Sequence, residues 1–176
     1  MNIAFVSSQE RGGTDRLLAT VAAHLEQQGF RLTGVVQTNF EREGTHHCDM
    51  DVRILPAGPV VRISQDLGAG SRGCRLDPGA LETAVATVAP VINSTRPIDL
   101  MILNKFGKHE AEGRGFRHLI GDALMRGIPI LTGVNNLNRA AFDTFTDGCA
   151  TALPEDFQAL MDWCHAHTAL RKTEAC

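Results

Sequence analysis

The sequence predicts a three-layer α/β fold built on a mainly parallel sheet, and three observations carry that prediction. Short continuous apolar runs, Ile3-Ala4-Phe5-Val6, Leu100-Met101-Ile102-Leu103 and Ile130-Leu131, have the length and composition of strands covered on both faces. Segments with apolar residues at helical spacing alternate with them along the chain. Finally, the apolar runs pass directly into polar, glycine-bearing segments, which in open α/β sheets form the crevice beyond the carboxyl ends of the strands.

The first strand covers Asn2 to Ser7, and a polar loop, Ser8 to Asp15, follows it. Leu17, Leu18, Val21, Ala22 and Leu25 then recur on one helical face, with Gly29 as the stop. Arg31 to Thr38 reads as the second strand. From Asp49 the period changes to strict alternation, and Pro56-Ala57-Gly58-Pro59 is a turn before Val60 to Ser64, so the segment at about 46–64 is expected as an antiparallel β-hairpin beside the parallel sheet. Asp77 caps a helix beginning at Pro78 and carrying Leu81, Val85, Val88 and Val91. After the strand at Leu100 to Leu103 come a helix through Phe116, Leu119, Ile120, Ala123 and Leu124, a strand at Pro129 to Val134, a short helix at Arg139 to Phe145, a short strand at Cys149 to Leu153 and a closing helix at Pro154 to Leu170. One domain is expected over residues 1–170, with a frayed tail at 171–176.

A chain of 176 residues with net charge -3 has no bulk attraction for nucleic acid or an anionic membrane. No apolar run approaches the ~18 residues of a membrane span, and the amino-terminal residues lack a basic segment followed by an apolar one, so a cytoplasmic location without membrane insertion is expected. The absence of Tyr and the single Trp163 argue against recognition of nucleic acid by stacking. Five cysteines without CxxC spacing indicate free thiols rather than a disulfide framework or zinc ribbon. His46, His47, Cys48 and Asp49 are potential ligands, but adjacent strand residues point to opposite faces, and no metal site is assigned. Cys48 and Cys74 form a redox pair only if their loops meet, which sequence does not decide.

The loop after the first strand has the register of a phosphate-binding P-loop, with Ser7 at the first glycine position, Gly12 at the second and Thr14 at the hydroxyl position. Gly13 stands where that motif has lysine. Ser8, Gly12, Gly13 and Thr14 are therefore candidate anion-binding residues at a helix N-terminus, the plain alternative being a structural turn. Asn104, Lys105, Lys108 and Glu110 follow the apolar strand and are expected at the crevice. Residues 65–77 carry Gly68, Gly70 and Gly73 with Arg72 and Arg75, a composition suited to wrapping an oxyanion, and Arg114 lies between Gly113 and Gly115. Glu110 either orients water as a catalytic group or serves in an ion pair with Lys108 or Arg114.

The run Asn104-Lys105-Phe106-Gly107-Lys108-His109-Glu110 resembles the Asp-Glu-x-Gly-Lys-x-Glu motif of the THEP-type branch of P-loop nucleoside triphosphatases, which also carries a hairpin after the second strand. Cys48 to Asp51, Ser71 to Glu82 and Leu103 to Arg117 are similar to an uncharacterised bacterial family, a domain of unknown function associated with molybdenum-transport proteins, and this likeness covers nearly the whole chain. The resemblance implies a P-loop-like topology. Against the hydrolytic pattern, Gly13 replaces the phosphate-gripping lysine and Asn104 replaces the acid that helps hold magnesium, while Lys105 stands where a second acid is expected.

The expected function is binding of a small anion, a phosphate-bearing nucleotide or an inorganic oxyanion, without efficient hydrolysis, and molybdate handling follows only from the family association. No cofactor, oligomeric state or specific partner is assigned. Two other classes stay open: an active nucleoside triphosphatase in which Lys105 or Lys108 replaces the missing lysine, and a protein-interaction module with an empty pocket.

Overall fold

The structure, a computed structural model, describes residues 1–41, 48–65 and 76–174. β1 (Ile3–Val6) feeds α1 (Gly13–Gln27), and β2 (Leu32–Glu41) is followed by the hairpin strands β3 (Cys48–Ile54) and β4 (Val60–Arg62). Then come α2 (Pro78–Ile92), β5 (Leu100–Phe106), α3 (Lys108–Ala111), α4 (Arg117–Met125), β6 (Ile130–Val134), α5 (Arg139–Phe145), β7 (Thr151–Leu153) and α6 (Phe157–Glu174). The strands form one sheet in the order β4-β3-β2-β5-β6-β1-β7. Pairing from β2 through β7 is parallel, whereas β2 with β3 and β3 with β4 are antiparallel. The hairpin thus extends the sheet at one edge.

Alternation along the buried strands divides the core into two layers. Ile3 and Phe5 of β1 and Met101 and Leu103 of β5 point to the face covered by α2, α4 and α5, through Leu81, Val88, Leu119, Ile120 and Phe142. Ala4, Val6, Leu100 and Ile102 point to the other face, covered by α1 and α6 through Leu18, Val21, Leu25, Leu160 and Trp163. Strands buried on both sides need apolar residues at every position, which is why their runs are continuous. α2 is capped as its sequence indicates: Asp77 Oδ1 accepts from Gly79 N at 2.9 Å and Ala80 N at 3.1 Å. Burial also pushes the Cys164 thiol up to about 12, so it behaves as an inert apolar side chain.

β5 departs from its expected boundary. It continues through Asn104 and Lys105 to Phe106 instead of releasing the chain at Leu103. Phe106 is fully buried and packs edge-on against Phe142 at 5.2 Å, so the strand is held in the sheet beyond its polar pair. It pairs with Val134 after a register irregularity between Leu103 and Phe106. Asn104 and Lys105 are consequently strand residues with opposite exposures, Asn104 buried and Lys105 exposed. The closing helix also runs on to Glu174, past the expected Leu170.

β1 lies between β6 and β7, with β5 and β2 beyond β6, so the connection from β1 to β2 crosses to one side of β1 while β7 lies on the other. This is the topological switch point at which open α/β sheets form their crevice. On the far side of the sheet, β2 approaches β5 closely at Gly34, where φ is 102° and a Cβ would meet the Ile102 carbonyl oxygen at 2.1 Å. Gly34→Ala is expected to lower stability by about 2 kcal/mol or more, read as a lower midpoint in urea denaturation; an unchanged midpoint would show that β2 shifts without cost.

Candidate functional site

A cleft of about 350 Å³ opens at this switch point, lined by Ser8 to Gly12, Thr14, Asp15, Asn104, Lys105 and Gly133 to Asn135. Its first wall is the loop between β1 and α1, which is tied down by its own polar groups. The Ser7 hydroxyl donates to the Val134 carbonyl. Thr14 Oγ1 accepts from Ser8 N at 3.1 Å, Ser8 Oγ accepts from Glu10 N at 3.0 Å, and the Glu10 carbonyl accepts from Gly13 N at 3.0 Å. Gly12, at φ 72°, supplies the left-handed residue that brings the loop into α1.

The backbone N–H groups of Thr14 and Asp15 have no acceptor among the described residues. First-turn N–H groups are left open in this way by helix geometry, and together with the helix dipole they favour an anion. At the lysine position of the P-loop, a Cβ on Gly13 would lie 2.3 Å from Ser8 Oγ and 3.0 Å from Glu155 Oε1. Ser8 therefore fills the space from which a lysine stem would leave.

The floor is a buried polar network joining α1, β2 and β5. Asn104 Nδ2 donates to Asp15 Oδ1 at 2.9 Å and to Gln37 Oε1 at 3.1 Å, while Asn104 Oδ1 accepts from Gln37 N at 3.1 Å. Asp15 Oδ2 accepts from Asn39 Nδ2, and Gln37 Nε2 lies 3.5 Å from it while donating to Asn39 Oδ1 at 2.6 Å. Lys105 reaches in from the exposed side of β5, placing Nζ 3.6 Å from Asp15 Oδ1. Gly133 makes this seating possible, because a Cβ there would meet Thr14 Cγ2 at 2.5 Å and the Asn104 carbonyl oxygen at 2.6 Å.

These residues do not fit a magnesium centre of the usual P-loop kind. Position 104 offers an amide, the Asp15 carboxylate is already engaged by amide donors, and the nearby Lys105 ammonium opposes a second cation. Among the described residues, no group of three or more His, Cys, Asp or Glu is placed to hold a metal ion. The arrangement can instead receive a tetrahedral anion between Lys105 and the first turn of α1.

Ser8, Gly12, Thr14, Asn104 and Lys105 thus line one cleft, and Gly13 sits at its edge beside Ser8. Lys108 and Arg114 do not line it: both are directed to Glu112, Lys108 Nζ at 3.6 Å, and the hydrogen bond from Arg114, followed by the charge of Lys108, holds the Glu112 carboxyl below its ordinary range. Glu110 is also outside the lining. It is buried, with Oε2 accepting from Gly107 N at 2.9 Å and Oε1 from Phe116 N at 3.1 Å, which closes the turn between β5 and α4. Neither Lys108 nor Arg114 is its partner. Arg72, Arg75, Cys74, His46 and His47 lie outside the described residues.

Asp15, Gln37, Asn39 and Gly133 are site residues that motif reading missed. Asp15 follows the P-loop-like threonine directly, and Gln37 and Asn39 are two polar residues at strand spacing, so both signals were present but resembled ordinary helix and strand-end polarity. The Glu110 geometry makes a separable prediction. Glu110→Gln replaces one acceptor by a donor facing a backbone N–H and is expected to cost about 1–3 kcal/mol of stability without changing anion affinity. Calorimetric unfolding beside a ligand titration checks both parts, and a loss of affinity at unchanged stability would move Glu110 into the site.

A solved structure entitled "Solution Structure of a Human Cancer-Related Nucleoside Triphosphatase" superposes with TM-score 0.62 at 17% identity, covering 98% of this chain and 97% of that one, which shows that the two chains share a fold. A "Molybdenum import ATP-binding protein ModC 2" from Bradyrhizobium diazoefficiens is 35% identical over 161 residues. That match takes in 92% of this chain but only 18% of the relative, so the chain spans about a fifth of that protein's length. A family model described as "Protein of unknown function (DUF2478)" matches residues 3–163, and the chain belongs to that family.

Proposed function

We propose that the cleft binds a tetrahedral oxyanion, either the phosphate of a nucleotide or an inorganic oxyanion, without a metal ion and without efficient hydrolysis. The observation that carries this reading is Lys105: its ammonium lies 3.6 Å from Asp15 Oδ1 in the cleft that Thr14 and Asp15, with open backbone N–H groups, also line. A fixed cation here supplies the charge that the missing P-loop lysine and a bound magnesium ion supply elsewhere. The shared fold supports a nucleotide as ligand, and the similarity to a protein named for molybdenum import and ATP binding supports a role near molybdenum transport.

Weak turnover follows from the chemistry. Phosphoryl transfer needs charge neutralisation on the transferred group and a placed nucleophile. Lys105 is a partly exposed cation with an anionic neighbour, and Glu110, the acid retained from the resembled motif, is bonded to the backbone N–H groups of Gly107 and Phe116. The site is arranged for holding rather than cleaving.

Isothermal titration of metal-stripped protein with ATP, GTP, phosphate and molybdate, each with and without magnesium, tests this reading. Binding is expected without magnesium, and Lys105→Ala is expected to weaken it by about tenfold, the loss of one charge-assisted contact. Binding only of a magnesium-nucleotide complex, followed by turnover, would favour an active triphosphatase. No binding of any anion would leave the fold as an interaction module.

A further inference from the structure

Resting on the reading that this cleft takes an oxyanion, we infer that Asp15 makes it selective for phosphate groups that still carry a proton. The favoured ligands are inorganic phosphate and the terminal phosphoryl of a nucleotide; the disfavoured ones are molybdate and sulfate, which have lost their protons at neutral pH.

The argument starts from a carboxylate that is a cleft wall. Asp15 is about nine-tenths buried, yet it lines the cleft. Its Oδ2 edge is filled by the Asn39 and Gln37 amides. Oδ1 accepts one short hydrogen bond, from Asn104 Nδ2 at 2.9 Å, while Lys105 Nζ at 3.6 Å is beyond good hydrogen-bond length. A carboxylate oxygen has room for a second donor, so Oδ1 keeps an unused acceptor position on the side where Lys105 enters.

An oxyanion that contacts the Lys105 ammonium is brought close to that position. Both Asp15 oxygens already face amide donors, so toward an incoming group Oδ1 offers an acceptor. A fully deprotonated oxyanion then faces a negative oxygen across a desolvated contact, which disfavours it. A monoprotonated phosphate turns its O–H toward Oδ1 and its charged oxygens toward Lys105 and the open N–H groups of α1. Repulsion becomes a hydrogen bond to a charged acceptor, so one side chain rejects one class of tetrahedral anion and accepts another.

The pH dependence follows from the ligand. Inorganic phosphate and terminal phosphoryl groups lose their last proton in the range around neutrality, so the protonated form thins out as pH rises through it. The other charged groups around the first turn of α1 are Glu10, Arg11, Arg16, Glu155 and Lys105. Among the described residues no histidine lines the cleft. Affinity for phosphate is therefore expected to fall with rising pH while affinity for molybdate stays level.

The test is isothermal titration of the wild-type protein with inorganic phosphate, molybdate and sulfate at about pH 6 and about pH 8, repeated on Asp15→Asn and Lys105→Ala. Wild type is expected to prefer phosphate over molybdate and sulfate by about tenfold or more at the lower pH, with the preference shrinking at the higher one. Asp15→Asn, whose amide donates to a bare oxyanion, is expected to lose both the preference and its pH dependence, and Lys105→Ala to weaken every anion alike. Equal binding by wild type, or a preference for molybdate, overturns the inference while leaving the oxyanion site in place. Failure of all three anions to bind overturns the inference, and the same failure by ATP and GTP overturns the proposed function itself. Selectivity that survives in Asp15→Asn removes Asp15 from the role, and if that variant does not fold, the wild-type pH profile decides.

Discussion

The Asn104 side chain, bonded at once to Asp15 and to Gln37, is the contact on which the rest of the site depends. It joins the first turn of α1 to β2 and β5, and it does so where a buried acid would otherwise have to be neutralised. An amide can donate to a carboxylate and accept from a backbone N–H at the same time, whereas an ionised acid at position 104 would only repel Asp15. Removing the Asp15 carboxylate would leave its amide donors unpaired in the interior, at about 1–3 kcal/mol for each one that finds no other acceptor. Once this network is satisfied, Lys105 is carried to the cleft by ordinary strand alternation, because Asn104 points inward.

The same constraint explains the glycines of the site. Gly133 lies under Thr14 and against the Asn104 carbonyl, so that any side chain there would lift α1 from the strands. Gly13 leaves its space to Ser8, whose hydroxyl holds the loop through Glu10. Gly13 is thus part of a packed arrangement in which the loop closes on itself while Lys105 enters the cleft from β5. Substituting lysine at position 13 alone would collide with Ser8 before it supplied a cation.

Much of the architecture was legible in the sequence, since strands buried on both faces and amphipathic helices have opposite periodicities. The hairpin was legible for the same reason: Asp49, Asp51 and Arg53 alternate with Met50, Val52 and Ile54, and β3 pairs antiparallel with β2. The end of β5 was not, because Asn104 and Lys105 have the polarity of a loop and only the packing of Phe106 on Phe142 keeps them in the sheet. Proximity along the chain was also a poor guide to proximity in the site. Lys108 and Arg114 follow the strand closely yet turn to Glu112, while Gln37 and Asn39 come from β2 and meet Asp15 across the crevice. Sequence neighbours share a site only when the backbone between them keeps its direction, and after Gly107 the strand gives way to the short helix α3.

The central claim is that an amide-bound carboxylate and a lysine form a cleft that takes an anion without a divalent ion. The most direct measurement is paramagnetic broadening of side-chain amide resonances by manganese in the presence of nucleotide, followed by nuclear magnetic resonance at Gln37, Asn39 and Asn104. The account predicts that these three amides stay sharp while signals shift on nucleotide addition alone. Selective broadening of all three by manganese would place a divalent ion in the cleft and contradict it.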